Sequence, residues 1–155
     1  MQRTSIALRL IIPAVWLGLI IAISFLETPL KFRAPGITLE LGLGIGRLVF
    51  FAMNRTALAL LVILTVAMLR PRARRLQWGL LAGLWVTLLT EIFVIRPPLN
   101  ARTDALLAGH ESAGSLWHYF YIAADGTIFV LLIIFVVVTA RQLIPAVASS
   151  RSVDD

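Results

Sequence analysis

The 155-residue chain contains no cysteine, a single lysine and two histidines that stand eight residues apart. Without thiols it has no disulfide, no thiol redox couple, no cysteine nucleophile and no thiolate metal site. His110 and His118 do not form the i, i+4 pair with which a helix grips a metal, so no metal site is expected. Charge is also scarce: 14% of residues are charged against 59% hydrophobic, with a mean hydropathy of +0.92. Soluble domains carry about 25% charged and about 45–50% apolar residues. A water-soluble fold of this length has no interior large enough for so much apolar surface. The charge that is present is mostly of one sign, 14 basic residues against 8 acidic, for a net charge of +6. The basic residues lie between apolar runs and form no stripe with interleaved aromatics, which points away from nucleic acid as a partner. The expected partner is the lipid bilayer, with cationic flanks holding helices in orientation.

Four segments are long and apolar enough to span a bilayer, which takes about 20 residues at about 1.5 Å each. They cover about 6–26, 48–69, 76–95 and 116–140. The fourth is rich in β-branched residues between Ile128 and Val138 and would read as a strand in water. In lipid the backbone must satisfy its own hydrogen bonds, so a helix is predicted. Pro13 falls inside the first span. Pro29 and Pro35-Gly36 are expected to break the chain after it, and Arg96-Pro97-Pro98 to stop the third. The reading is an all-α, four-helix transmembrane bundle forming one domain over 1–148, with a mobile polar tail over 149–155.

The N-terminal segment has the basic start and apolar run of a secretory signal. The run continues to Leu26 without a convincing cleavage site, so it reads as a retained helix. The side holding both termini and the Arg70–Arg75 connector carries eight Lys or Arg: Arg3, Arg9, Arg70, Arg72, Arg74, Arg75, Arg141 and Arg151. The other side carries five: Lys31, Arg33, Arg47, Arg96 and Arg102. Both termini are therefore expected in the cytoplasm, and the chain in a plasma membrane, in bacteria the inner one.

Ionisable residues inside a bilayer cost roughly 2.5–3.5 kcal/mol on insertion scales. Here they gather in the outer half: Arg55 about 10 Å deep in the second span, Asp125 about 13 Å deep in the fourth, Glu91 near the end of the third, Glu27 closing the first, His118 opening the fourth, and Asn54 beside Arg55. His118, Tyr121, Ile122 and Asp125 share one face of the fourth helix. Arg55 is expected to pair with Asp125 or Glu91, since an unpaired buried charge is strongly disfavoured. Such pairs either fix helix register or serve a proton or ligand site. Glu27 and Glu91 are the candidates to snorkel to the interface. His118 alone is a weak haem or metal ligand, and Ser115 with His118 a fragment of a hydrolase dyad. The Gly42-Leu43-Gly44-Ile45-Gly46 run follows no strand, so it is no dinucleotide loop; it suits an interfacial loop or close helix approach. Trp78 and Trp117 are placed as interface anchors.

The run Phe25-Leu26-Glu27-Thr28-Pro29-Leu30-Lys31-Phe32-Arg33-Ala34-Pro35, the entry Gly46-Arg47-Leu48-Val49-Phe50, Arg102 and the step Ser115-Leu116-Trp117-His118 together resemble the small four-helix membrane proteins of the DUF4149/TMEM205-like kind. That resemblance implies the same four-span topology and assigns no activity. No catalytic residue and no cofactor are assigned, and an enzyme is not expected. The sequence reads as a membrane protein with an ion-paired polar cluster, an accessory or assembly component acting with a second copy or another membrane protein. Two alternatives stand beside this reading. One is an oligomeric proton-coupled transporter; the other is a redox or haem-binding subunit using His118.

Overall fold

The computed structural model describes residues 2–69, 71–109 and 116–151, and the side chains between 4 and 142 outside the two gaps. It contains four helices and, among the described residues, no strand. Helix α1 covers 2–31 and joins α-helical Gln2–Ile20, a π-helical stretch Ile21–Glu27 and α-helical Thr28–Lys31. Helix α2 is Leu39–Leu69. Helix α3 runs from Arg75 to Leu107 through a second π-helical stretch, Glu91–Ile95. Helix α4 is Leu116–Arg151. Each is long and apolar enough to cross a membrane.

Helix α1 packs against α2 and α4, and α3 packs against the same two, which closes an antiparallel four-helix bundle. One end, here the terminal end, holds the start of α1 and the α2–α3 connector. The distal end holds the α1–α2 and α3–α4 connections. The core fills the terminal half, where Trp16, Ile20, Leu61, Leu64, Met68, Leu84, Leu88, Ile128, Leu132 and Phe135 are buried. Trp16 is thus a core residue. Trp85 is tied across to α2 by a bond from its indole Nε1 to Thr65 Oγ1 at 3.1 Å.

At the distal end the helices are longer than the apolar runs predict. Pro29 does not end α1, and Pro97-Pro98 do not end α3. Each proline sits in the first turn of an α-helical segment that restarts after a π-helical stretch. There the ladder has already shifted to i→i+5, with the Thr28 N–H bonding Ile23 O and the Arg96 N–H bonding Glu91 O. The missing proline N–H then falls in a first turn, where it is tolerated. The glycine run is likewise helical, within the first turns of α2. A Cβ at Gly42 would lie 2.2 Å from Phe32 Cε1, and one at Gly46 would lie 2.8 Å from Lys31 Nζ. These glycines let the end of α1 seat its last side chains directly on α2. At the other extreme α4 continues through Ser149 and Ser150 to Arg151. Residues 152–155 of the polar tail lie outside the described residues.

The terminal half is not purely apolar. Arg9, expected as a flanking cation, is 4% exposed. Its Nε donates to Ala67 O at 3.0 Å and its Nη2 donates to Pro71 O. One guanidinium thus caps the Ala67 carbonyl, which the last turn of α2 leaves without an intrahelical partner, and ties it to the connector that follows. Beside it the Gln77 amide donates to Thr139 Oγ1 at 3.1 Å and accepts from the Arg74 N–H at 3.2 Å. Replacing Arg9 by leucine is expected to cost about 1.5–3 kcal/mol per lost charged hydrogen bond. Arg9→Lys, whose ammonium lacks the guanidinium fork, should recover only part of the loss. Thermal unfolding in detergent checks both; an unchanged midpoint for Arg9→Leu would remove the cap from the account of the fold.

Candidate functional site

A cavity of about 480 Å³ opens at the distal end, between the last turns of α1 and α3 and the first turns of α2 and α4. Its walls are mostly apolar, built by Phe25, Phe32, Leu43, Phe50, Leu99, Leu106, Ile122 and Phe129. Lys31, Arg47, Arg102 and His118 stand near its mouth; Ser24, Arg96, Tyr121 and Asp125 stand deeper. Its size falls within the range of small-molecule sites, about 300–1,000 Å³.

Local structure explains how these side chains reach the cavity. Ser24 lies within the π-helical stretch of α1, and its hydroxyl donates to Asp125 Oδ2 at 2.7 Å. The second π-helical stretch begins at Glu91 and ends just before Arg96, so it turns both residues inward. On α4, Tyr121 and Asp125 are buried one turn apart. The Tyr121 ring meets Phe50 edge-on, with centroids 5.3 Å apart. Lys31, whose side chain is 9% exposed, bonds Glu27 at 3.2 Å. Its Nζ also lies 5.5 Å and 5.7 Å from the ring centres of Phe32 and Phe50. Arg47 pairs with Asp104 across α2 and α3.

Beneath the cavity lies a dense polar cluster. Asn54, Glu91, Arg96, Tyr121 and Asp125 are all buried. The Glu91 carboxyl sits among the other four. The cluster is loosely paired: Asn54 and Tyr121 approach the Glu91 carboxyl and Arg96 approaches Tyr121, but both Glu91 oxygens, both Asn54 amide atoms, Arg96 Nε, the Tyr121 hydroxyl and Asp125 Oδ1 make no hydrogen bond of good geometry.

The candidates named from sequence are therefore divided. Asn54, Glu91 and Asp125 come together. Glu91 does not snorkel; it is 1% exposed, because the π-helical stretch rotates it into the bundle. Arg55 is not in the cluster and pairs with neither Asp125 nor Glu91. Adjacent helical residues point about 100° apart, and α2 buries Asn54 in line with Ala57, Leu61, Leu64 and Met68. Arg55 is left on the outer surface, its guanidinium 4.5 Å from the Phe51 ring, one turn nearer the distal end. Glu27 is half-buried and belongs to Lys31. His118 is exposed at the mouth; His110 and Ser115 lie outside the described residues. Arg96 and Lys31 were legible only as flanking cations, since nothing in the local pattern marks a π-helical stretch.

No family model matches this chain, and no curated protein or solved structure matches it.

Two double-mutant cycles test the division. Ser24→Ala with Asp125→Asn should show an interaction energy of about 0.5–3 kcal/mol, as for groups in contact. Arg55→Gln with Asp125→Asn should be additive to within about 0.5 kcal/mol. Coupling in the second cycle would place Arg55 inside the cluster and contradict the geometry.

Proposed function

We propose that the chain is a multi-pass membrane protein, with both termini and the α2–α3 connector in the cytoplasm, that binds a small amphipathic molecule in the cavity of its outer half. It would act as a binding or accessory component of a plasma membrane. Orientation rests on the basic residues. With Arg9 and Arg96 set aside as buried, the eight and five of the two sides become seven at the terminal end and four at the distal end, and the bias keeps its sign.

The observation that carries the binding reading is the cavity itself, walled by apolar side chains with Ser24, Arg96, Tyr121 and Asp125 converging at its floor. Apolar walls with a few convergent polar groups are what a ligand pocket requires. Phe25, Ile122 and Gly126 line the cavity and are also exposed on the outer surface of the bundle. The cavity and the lipid-facing wall therefore share the α1–α4 seam, a route by which a molecule dissolved in the bilayer can enter. The proximity of two buried carboxylates, Glu91 and Asp125, favours proton-coupled transport as a second reading.

A Cβ at Gly126 meets nothing within 4 Å. Gly126→Leu should therefore fill the cavity while preserving or raising thermal stability. Native mass spectrometry of protein purified in detergent is expected to find an amphiphile bound to wild type and about tenfold less on Gly126→Leu. Wild-type protein that carries none, and whose unfolding temperature no added amphiphile raises, would overturn the proposal. Proton flux in liposomes that Glu91→Gln or Asp125→Asn abolishes would favour the transport reading.

A further inference from the structure

Helix α2 carries two faces of different kinds. Asn54, Ala57, Leu61, Leu64 and Met68 turn into the bundle. On the opposite side Leu48, Ala52, Arg55, Ala59, Val62 and Val66 are all exposed. Their spacing alternates four and three residues, the repeat with which one helix seats on another. Lipid suits five of these six residues. It does not suit Arg55. That residue stands eight positions, about 12 Å, from Arg47, whose pair with Asp104 marks the polar boundary at the distal end, and fourteen positions, about 21 Å, from Leu69. Among the described residues its guanidinium pairs with no carboxylate and lies 4.5 Å from the centre of the Phe51 ring. A ring face attracts a cation but leaves most of the five guanidinium N–H donors without an acceptor. Ionisable side chains within membrane helices almost always face protein or a water-filled cavity, and Arg55 is not among the residues that line the distal cavity. Ala52 and Ala59, on either side of it, present no bulk, so a neighbouring helix can approach α2 closely there.

Resting on the reading of the chain as membrane-spanning, and independent of what the cavity holds, we propose that this outer face of α2 docks a transmembrane helix of another protein, and that a carboxylate of that helix pairs with Arg55 between Ala52 and Ala59. A carboxylate takes both ends of the guanidinium fork and leaves the pair neutral. An apolar helix offers no acceptor and a cationic one repels, so the match is selective. A second copy of this chain does not supply the carboxylate. Copies inserted in one orientation and related by an axis along the membrane normal meet at equal depths, which brings Arg55 to Arg55. Of the described carboxylates, Glu91 and Asp125 are buried within the bundle, and Glu27 and Asp104 belong to Lys31 and Arg47. Glu40 lies fifteen positions, about 22 Å, along α2 toward the distal end. Glu111, Asp154 and Asp155 lie outside the described residues.

The test places the whole chain, carrying a donor fluorophore, in phosphatidylcholine liposomes and measures energy transfer to synthetic leucine–alanine transmembrane helices of about 22 residues that carry the acceptor. One helix bears aspartate at the depth of Arg55, one leucine and one arginine. The aspartate helix should associate about tenfold or more tightly than the leucine helix, and the arginine helix more weakly than either. Arg55→Leu should erase the preference, and Arg55→Asp should transfer it to the arginine helix. Ala59→Leu should weaken the aspartate helix about tenfold and leave the unfolding temperature unchanged, because its side chain is exposed. Arg55 is also on the surface, so its variants keep the fold, which thermal unfolding in detergent verifies. Equal association of the aspartate and leucine helices with wild type would overturn the proposal and leave Arg55 to lipid phosphate. Energy transfer between two differently labelled copies of the chain, abolished by Arg55→Leu, would replace the foreign helix by a second copy. A chain that does not insert into liposomes removes the membrane reading as well, whereas an inserted chain indifferent to all three helices removes the docking face alone.

Discussion

Five polar ties between helices fix the register of this bundle, one of them the Trp85–Thr65 bond between α3 and α2. Arg9 holds the start of α1 to the end of α2, and Gln77 holds the start of α3 to Thr139 on α4. At the distal end Ser24 joins α1 to Asp125 on α4, and Arg47 joins α2 to Asp104 on α3. Such ties matter because the helices are apolar nearly all round. Leucine and isoleucine side chains pack almost equally well at neighbouring registers, and where the surroundings are as apolar as the core no solvent drives one face inward. A buried hydrogen bond, as at Arg9 or Gln77, tolerates no such slippage, since moving either helix by one turn leaves donor and acceptor apart; the exposed Arg47–Asp104 pair contributes less.

The two ends use this device differently. At the terminal end most donors and acceptors close on one another: the Arg9 guanidinium satisfies the Ala67 and Pro71 carbonyls and Gln77 both donates and accepts, while Gln142 Nε2 stays without a partner. At the distal end the polar groups converge but remain partly open, beside a cavity. Native proteins keep unsatisfied buried polar groups to a few, and most often where function requires them. The larger number of such groups beside the cavity is a physical ground for proposing a role for the distal end beyond holding the fold. Both π-helical stretches lie at that end, and each supplies a residue of the site, Ser24 from one and Glu91 from the other. Widened turns of this kind interrupt the regular ladder to re-aim side chains and recur at functional sites.

Length and composition determined that there are four helices, roughly where they lie, and that the polar residues gather toward one end, because a bilayer-length apolar run is readable from the residues in it. Asn54, Glu91 and Asp125 were legible as intramembrane polar residues on the same ground. What the sequence could not supply was direction. A helix that is apolar on every face has no stripe from which to read its buried side, so Asn54 and Arg55 were equivalent until packing turned one in and the other out. Pro29 and Pro97 looked like breaks because the cost of a missing N–H is known from sequence, whereas the π-helical stretch that removes the cost is set by contacts between helices. The identity of the buried cations was decided in the same way. Arg9 and Arg96 sit where flanking arginines are expected, and only tertiary structure, by placing helix-end carbonyls beside one and a buried carboxylate beside the other, draws them into the interior.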